Sequence, residues 1–130
     1  MNIINNFEKY IQVLYGIYVP IIPVKGMLSP RTRAGYSQDR YCIYLNLDYN
    51  FKSTKDVIST LVHEGRHAWQ HANGYMEIYP TISPQDDPEG YYNSVLERDA
   101  RLAQENWEKG NLDALILDGP ILSLDEMKAI

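Results

Sequence analysis

Cysteine is nearly absent. Cys42 is the one thiol among 130 residues, so no intrachain disulfide can form, and a lone thiol in a β-rich stretch reads as a small core residue. Positive charge is also scarce: 12 Lys and Arg face 17 Asp and Glu, for a net charge of −5. The nearest approach to a basic cluster is Lys25, Arg31 and Arg33. Nucleic acid is therefore not an expected partner, because phosphate binding draws on clustered Lys and Arg. Long apolar runs are missing as well. The stretch from Ile11 to Val24 is broken by Gln12, Pro20 and Pro23 and is too short to span a bilayer. Met1 to Lys9 has no basic segment ahead of its apolar residues, so it does not resemble a secretory signal. The expectation is no membrane partner and a cytoplasmic location. Repeats and low-complexity blocks are absent, and nothing in the chain bears on oligomeric state.

What is present is ordinary globular composition, 45% hydrophobic and 22% charged, enough for one domain with one modest core. Ile3, Phe7, Tyr10, Ile11 and Leu14 recur at helical intervals, predicting an amphipathic helix over 2–15 that Gly16 ends. Residues 17–24 are β-branched and aromatic with two prolines, which fits an irregular or edge strand. Ala34 to Tyr36 and Tyr41 to Leu47 read as strands joined by the polar turn Ser37-Gln38-Asp39-Arg40. Ser53 or Thr54 caps a helix running to about His71, with Asn73-Gly74 as its stop signal. Residues 74–87 are expected to form a loop, and Asp87-Pro88 to start a last long helix reaching Lys109. The prediction is an α+β domain over 1–110. A tail over 111–130 follows, with an apolar patch (Leu112 to Leu117), a turn at Gly119-Pro120 and a short helix after Ser123.

The chemistry centres on His63-Glu64-Gly65-Arg66-His67, an H-E-x-x-H motif in a helical segment. Residues four apart on a helix differ by about 40° in direction and one turn in height, so two imidazoles so placed can reach one zinc at about 2.0–2.1 Å. The residue after the first histidine flanks that face, where its carboxylate can take a proton from a water on the metal. The helix wheel agrees with this division. Ile58, Leu61, Val62, Gly65, Ala68 and Trp69 share one face, whereas His63, His67 and His71 lie roughly opposite. A chance match need not respect it. Zn2+ is therefore the expected cofactor, with Glu64 as the catalytic base.

A catalytic zinc needs a third protein ligand. His71 lies one more turn along, too far in height to share one small ion comfortably, and suits a supporting or cap-region role better. The segment Leu96-Glu97-Arg98-Asp99-Ala100-Arg101 resembles the glutamate helix of gluzincins. Its Glu97-x-x-Ala100 is similar to the E-x-x-A pattern of the short ImmA/IrrE-like and minigluzincin-like members, and 30 residues separate it from His67. A metzincin pattern is excluded, because Gln70 and Asn73 stand where its glycine and third histidine belong. The resemblance implies a zincin-like fold in which Glu97 completes the site and Ala100 lets the two helices approach closely. Two other readings stay open. Ser94-x-x-Glu97 matches a capping box, in competition with the upstream Asp87-Pro88 start. Asp99 lies nearer than Glu97 to the apolar stripe of Tyr92, Leu96, Ala103 and Trp107, and is either the rival ligand or a partner for a histidine N–H.

Larger gluzincins carry an Asp four residues after the ligand Glu; Arg101 stands here, so Asp99 is the substitute for orienting a histidine. Such enzymes use a Tyr or His to stabilise the oxyanion, and Tyr75, Tyr79, Tyr91 and Tyr92 are the nearby tyrosines, Tyr91 and Tyr92 being the named donors. By the same resemblance Tyr41 to Leu47 is either an edge strand that pairs with an extended peptide or a core hairpin. The expected function is a zinc metallopeptidase acting on a protein or peptide substrate. The alternative is a zinc-containing module of the same fold that binds a partner protein without cutting it. A third idea makes 111–130 a lid over the cleft.

Overall fold

A computed structural model describes residues 3–79 and 82–111; the predicted features of the tail beyond 111, including the lid, lie outside the described residues. The order is α1 (Ile3–Tyr15), β1 (Ile21–Val24), β2 (Ala34–Ser37), β3 (Cys42–Asn46), α2 (Thr54–Ala72), α3 (Tyr75–Ile78), α4 (Pro88–Asn93) and α5 (Val95–Glu108). The fold is α+β, as expected.

The sheet has the order β1-β3-β2, with β1 parallel and β2 antiparallel to β3. β3 is therefore the central strand. Its N–H and C=O groups are taken on both sides, so of the two readings of Tyr41 to Leu47 the core hairpin with β2 holds and the edge strand does not. Four of its five residues are buried, the signature of a strand covered on both faces. The edge nearer α2 is β2. β1 is the other edge, and there Pro23 is tolerated because its missing N–H would face outward.

Asn46, fully buried, ties the loop after β1 to the sheet. Its Nδ2 donates to the Ser29 and Thr32 carbonyls (3.0 and 2.7 Å), and its Oδ1 accepts from the Asp48 N–H (3.0 Å). That loop supplies Arg31 and Arg33 to the cavity described below.

α2 lies at the centre of the molecule, in contact with α1, α5, β2 and β3. Ser53 caps it, its Oγ accepting from the Asp56 N–H (3.1 Å). Leu61, Val62, Ala68 and Trp69 join Ile11, Leu14 and Tyr15 of α1 and Ile43 and Leu45 of β3 in one core. Tyr15 donates its hydroxyl to the Val62 carbonyl (2.7 Å), and burial raises that phenol's pKa well above the ordinary range. Gly65 permits this close approach: a Cβ there would fall 2.9 Å from both Ile11 Cγ2 and Tyr15 Cε2.

The last helix is interrupted. Ser94 adopts an extended conformation (φ −63°, ψ 153°), splitting the single helix expected from Asp87 to Lys109 into α4 and α5. Both start signals operate, one for each helix: Asp87 accepts from the Gly90 N–H (3.0 Å), and Ser94 Oγ from the Glu97 N–H (3.4 Å). Tyr92, assigned to the apolar stripe, consequently sits on α4 and is 59% exposed. The stretch expected to be an uninterrupted loop, 74–87, also contains the single helical turn α3.

The Gly65 contact yields a stability test. Gly65→Ala gains helix propensity worth up to about 1 kcal/mol, but it drives a methyl into a fixed ring and a β-branched side chain, an overpacking cost of about 1–3 kcal/mol. Urea denaturation is expected to show a less stable protein; an unchanged or raised midpoint would contradict the close contact with Ile11 Cγ2 and Tyr15.

Candidate metal centre

α2 and α5 make the most extensive helix–helix contact in the described chain, and the site lies between them. His63 and His67 project from α2 with their rings 5.1 Å apart at 75°. Glu97, in the first turn of α5, faces both. Its Oε1 lies 2.7 Å from His63 Nε2 and its Oε2 2.9 Å from His67 Nε2. One ligand atom from each of these three side chains falls within 4.8 Å of the others, the one such His/Cys/Asp/Glu group among the described residues. Ala100, one turn after Glu97 and fully buried, leaves room for the two helices to meet.

The hydrogen bonds behind the imidazoles determine which nitrogen faces the cluster. His67 Nδ1 lies 2.9 Å from Gln70 Oε1, while Gln70 Nε2 donates to the Leu96 carbonyl and to Asp99 Oδ2 (both 2.9 Å). The amide oxygen can only accept, so His67 Nδ1 carries a proton and Nε2 is the coordinating nitrogen. His63 is held in the same way. Its Nδ1 meets Gln104 Oε1 (3.1 Å), Gln104 Nε2 donates to Ser59 Oγ (2.9 Å), and Ser59 Oγ donates to Glu108 Oε1 (2.6 Å). Each imidazole is thus backed by a glutamine amide that is tied to a carboxylate, Gln70 to Asp99 directly and Gln104 to Glu108 through Ser59. Two Nε2 lone pairs and a carboxylate aimed at one point fit a borderline cation such as zinc.

Charge is concentrated here. Burial alone would lower the His67 pKa, but the Glu97 hydrogen bond and the fields of Glu64 and Glu97 outweigh it and raise it to about 9. Burial would raise the Glu97 carboxyl, but the hydrogen bonds from His63 and His67 dominate and hold it far below the usual carboxylate range.

Glu64 is buried but lines the same cavity of about 660 Å³, beside His63, His67, Glu97 and Tyr91. Its carboxylate has no hydrogen bond to another described residue. The Tyr91 hydroxyl interacts with Glu97; burial, then the fields of Glu97 and Glu64, keep it protonated. Tyr92 also lines the cavity, but its ring carries the Arg101 guanidinium, 3.7 Å from the ring centroid. Tyr75 stacks on Trp69 (5.5 Å), and neither it nor Tyr79 lines the cavity.

Asp99 is not placed as a rival ligand. It is fully buried against Arg66, with Oδ2 2.8 Å from Nε, and reaches His67 through Gln70 rather than directly. His71 also stands apart from the cluster. Its Nδ1 lies 2.7 Å from the Tyr36 hydroxyl, whose pKa burial pushes up to about 12, and its ring stacks on Tyr41 at 4.9 Å. Arg66, Gln70, Gln104 and Ser59 were missed from sequence. Arg66 carried a signal: it falls four residues after Val62 and three before Trp69, a charge on the apolar stripe.

The His67–Glu97 contact sets a pH dependence in the metal-free protein. His67 binds its proton more tightly folded than unfolded, so that stabilisation is fully present below the ordinary 6.5 and lost as pH rises through about 9. Glu97 has the opposite sign, contributing above the ordinary 4.5 and losing that contribution as pH falls. Counted once for the pair, the effect is on the order of 2–3 kcal/mol. The urea midpoint of chelator-treated protein should fall between pH 7 and 10, and Glu97→Gln should remove most of that slope; equal slopes in the two proteins would contradict it. Comparison with protein-family models, curated proteins and solved structures finds no match for this chain, so these side-chain positions carry the functional argument.

Proposed function

We propose that the chain is a zinc-dependent metallopeptidase of the gluzincin type, with His63, His67 and Glu97 as ligands and Glu64 as general base. The observation that carries this reading is the convergence of two Nε2 atoms and one carboxylate in a cavity that also holds a second carboxylate, Glu64, with no hydrogen-bonding partner among the described residues. A purely structural zinc site would have no use for a buried, uncommitted carboxylate, since burying a charge is costly.

Zinc at this position would supply Lewis acidity, polarising the scissile carbonyl and making a water acidic near neutral pH. Glu64 accepts the proton of the attacking water and delivers it to the departing amine. Tyr91, held protonated and lining the cavity, would serve as the donor to the developing oxyanion. Gln70 and Gln104 hold the imidazoles in the tautomer the metal needs. The cavity volume falls in the range that accommodates a small ligand or a few peptide residues. β2 contributes Ala34, Gly35 and Tyr36 to the wall, so the strand an extended peptide would lie beside is β2 rather than β3.

Purified protein is expected to hold one zinc per chain, lost in His67→Ala and Glu97→Ala. Gln70→Ala should keep the site but weaken zinc affinity by about 10–100-fold. Glu64→Gln should retain zinc and lose cleavage of a peptide library by a factor of about 100 or more. Zinc with no cleavage in the wild type, and a partner protein retained equally by Glu64→Gln, would replace this reading with a binding module.

A further inference from the structure

Arg101 lines the cavity of the His63–His67–Glu97 cluster and is one turn from Glu97 on the same face of α5. Its guanidinium lies over the Tyr92 ring at 3.7 Å. Nη1 is sealed from solvent without a hydrogen-bond acceptor, and no described residue forms an ion pair with the group. The other cations of the wall differ. Arg33 is committed to Asp56 at 2.7 Å and lies over Tyr49, while Arg31 is exposed on the loop after β1 and is not seated on the aromatic ring of any described residue. A guanidinium fixed on an aromatic face, facing a cavity and lacking an anion, is a preformed half of a carboxylate-binding pair, because its planar donors match a carboxylate bidentately.

We infer that Arg101 selects substrates carrying a carboxylate close to the bond acted on. This inference rests on the peptidase reading for its reaction but not for its binding. Arg101 lies about 6 Å along the helix axis from Glu97, so the carboxylate it takes belongs to a residue adjoining the reacting carbonyl. Two sources share that chemistry: the C-terminal α-carboxylate of a peptide, and an Asp or Glu side chain. Tyr92 is a positioning residue, since the ring holds the guanidinium from one side and leaves its edge for the ligand.

The test uses three probes on the full chain at low ionic strength: N-acetyl-glycyl-glycine, its C-terminal amide, and N-acetyl-glutamic acid amide. Dissociation constants are measured calorimetrically for the wild type, Arg101→Gln and Arg101→Lys, with circular dichroism to check folding. The wild type should bind one of the carboxylate probes about tenfold or more tighter than the neutral amide, and the favoured probe identifies the source. Arg101→Gln should abolish the preference, and Arg101→Lys should restore only part of it, having charge without the planar fork. A wild type that does not discriminate overturns the inference. A preference that survives in Arg101→Gln also overturns it, because the carboxylate is then held elsewhere, such as by a bound ion. Discrimination without cleavage of any peptide would fail the peptidase reading alone, whereas cleavage indifferent to carboxylates would fail only this inference.

Discussion

The ion pair between Arg66 and Asp99 joins the two helices that carry the metal-ligand candidates, and both residues are withdrawn from solvent (0% and 1% of the side-chain surface exposed). Such a pair adds little stability relative to a well-packed apolar contact, because both charges must be dehydrated; removing one partner, however, leaves an uncompensated buried charge at a cost of about 3–5 kcal/mol. Its effect here is geometric. It sets the separation and register of α2 and α5, so that Glu97, two residues before Asp99, meets His67, one residue after Arg66. The Arg66 guanidinium also stacks on Trp69 at 3.8 Å, linking the pair to the core. Asp99 has a second role, since it receives Gln70 and Gln70 receives His67. Helix docking and imidazole orientation therefore share one carboxylate.

Around this clamp the site is prearranged rather than assembled by a ligand. Glu97 faces the Nε2 atoms of both histidines, and the two glutamines hold both rings with Nδ1 turned away from the cluster. The raised pKa of His67 and the lowered pKa of Glu97 are two views of one attraction. A cation entering here would displace protons from Nε2 atoms already directed at a common point, so little side-chain entropy remains to be lost. Glu64 lies at the margin with no such commitment, which is the condition a base needs if it is to change protonation state during a reaction.

Much of this was legible in the residues, and the failures have identifiable causes. The start, stop and apolar stripe of α2 are local properties, and its bounds and buried face follow from them. Glu97 needed the resemblance to gluzincin sequences, because a wheel of α5 favours Asp99, the residue nearer the apolar stripe. The wheel was right about burial and silent about purpose: Asp99 is buried because Arg66 is buried opposite it, a correlation between two helices that neither helix shows alone. The choice between edge strand and core hairpin for Tyr41 to Leu47 stayed open for a similar reason. That β3 is central depends on its inserting between β2 and β1, pairing directly and in parallel with β1, a long-range pairing invisible in local alternation. The glutamine relays depend on distances between α2 and α5 that no spacing along one chain encodes.

The break at Ser94 shows how a local signal can determine the chemistry of the cavity wall. On one continuous helix, Tyr92 and Arg101, nine residues apart, would lie about 180° apart in direction and about 13 Å apart along the axis. Tyr91 and Glu97, six apart, would be separated by about 120° and 9 Å. Neither pair could touch. The extended backbone at Ser94 ends α4, turns the chain and caps α5 with the same serine, bringing Tyr91 to Glu97 and Tyr92 against Arg101. The two start signals that compete along one helix are reconciled by two helices, and the capping box does not divert Glu97 from the cluster. Its backbone N–H satisfies the cap while its carboxylate meets the histidines. The residue that fixes where α5 begins thereby also fixes which hydroxyl and which cation face the candidate metal centre.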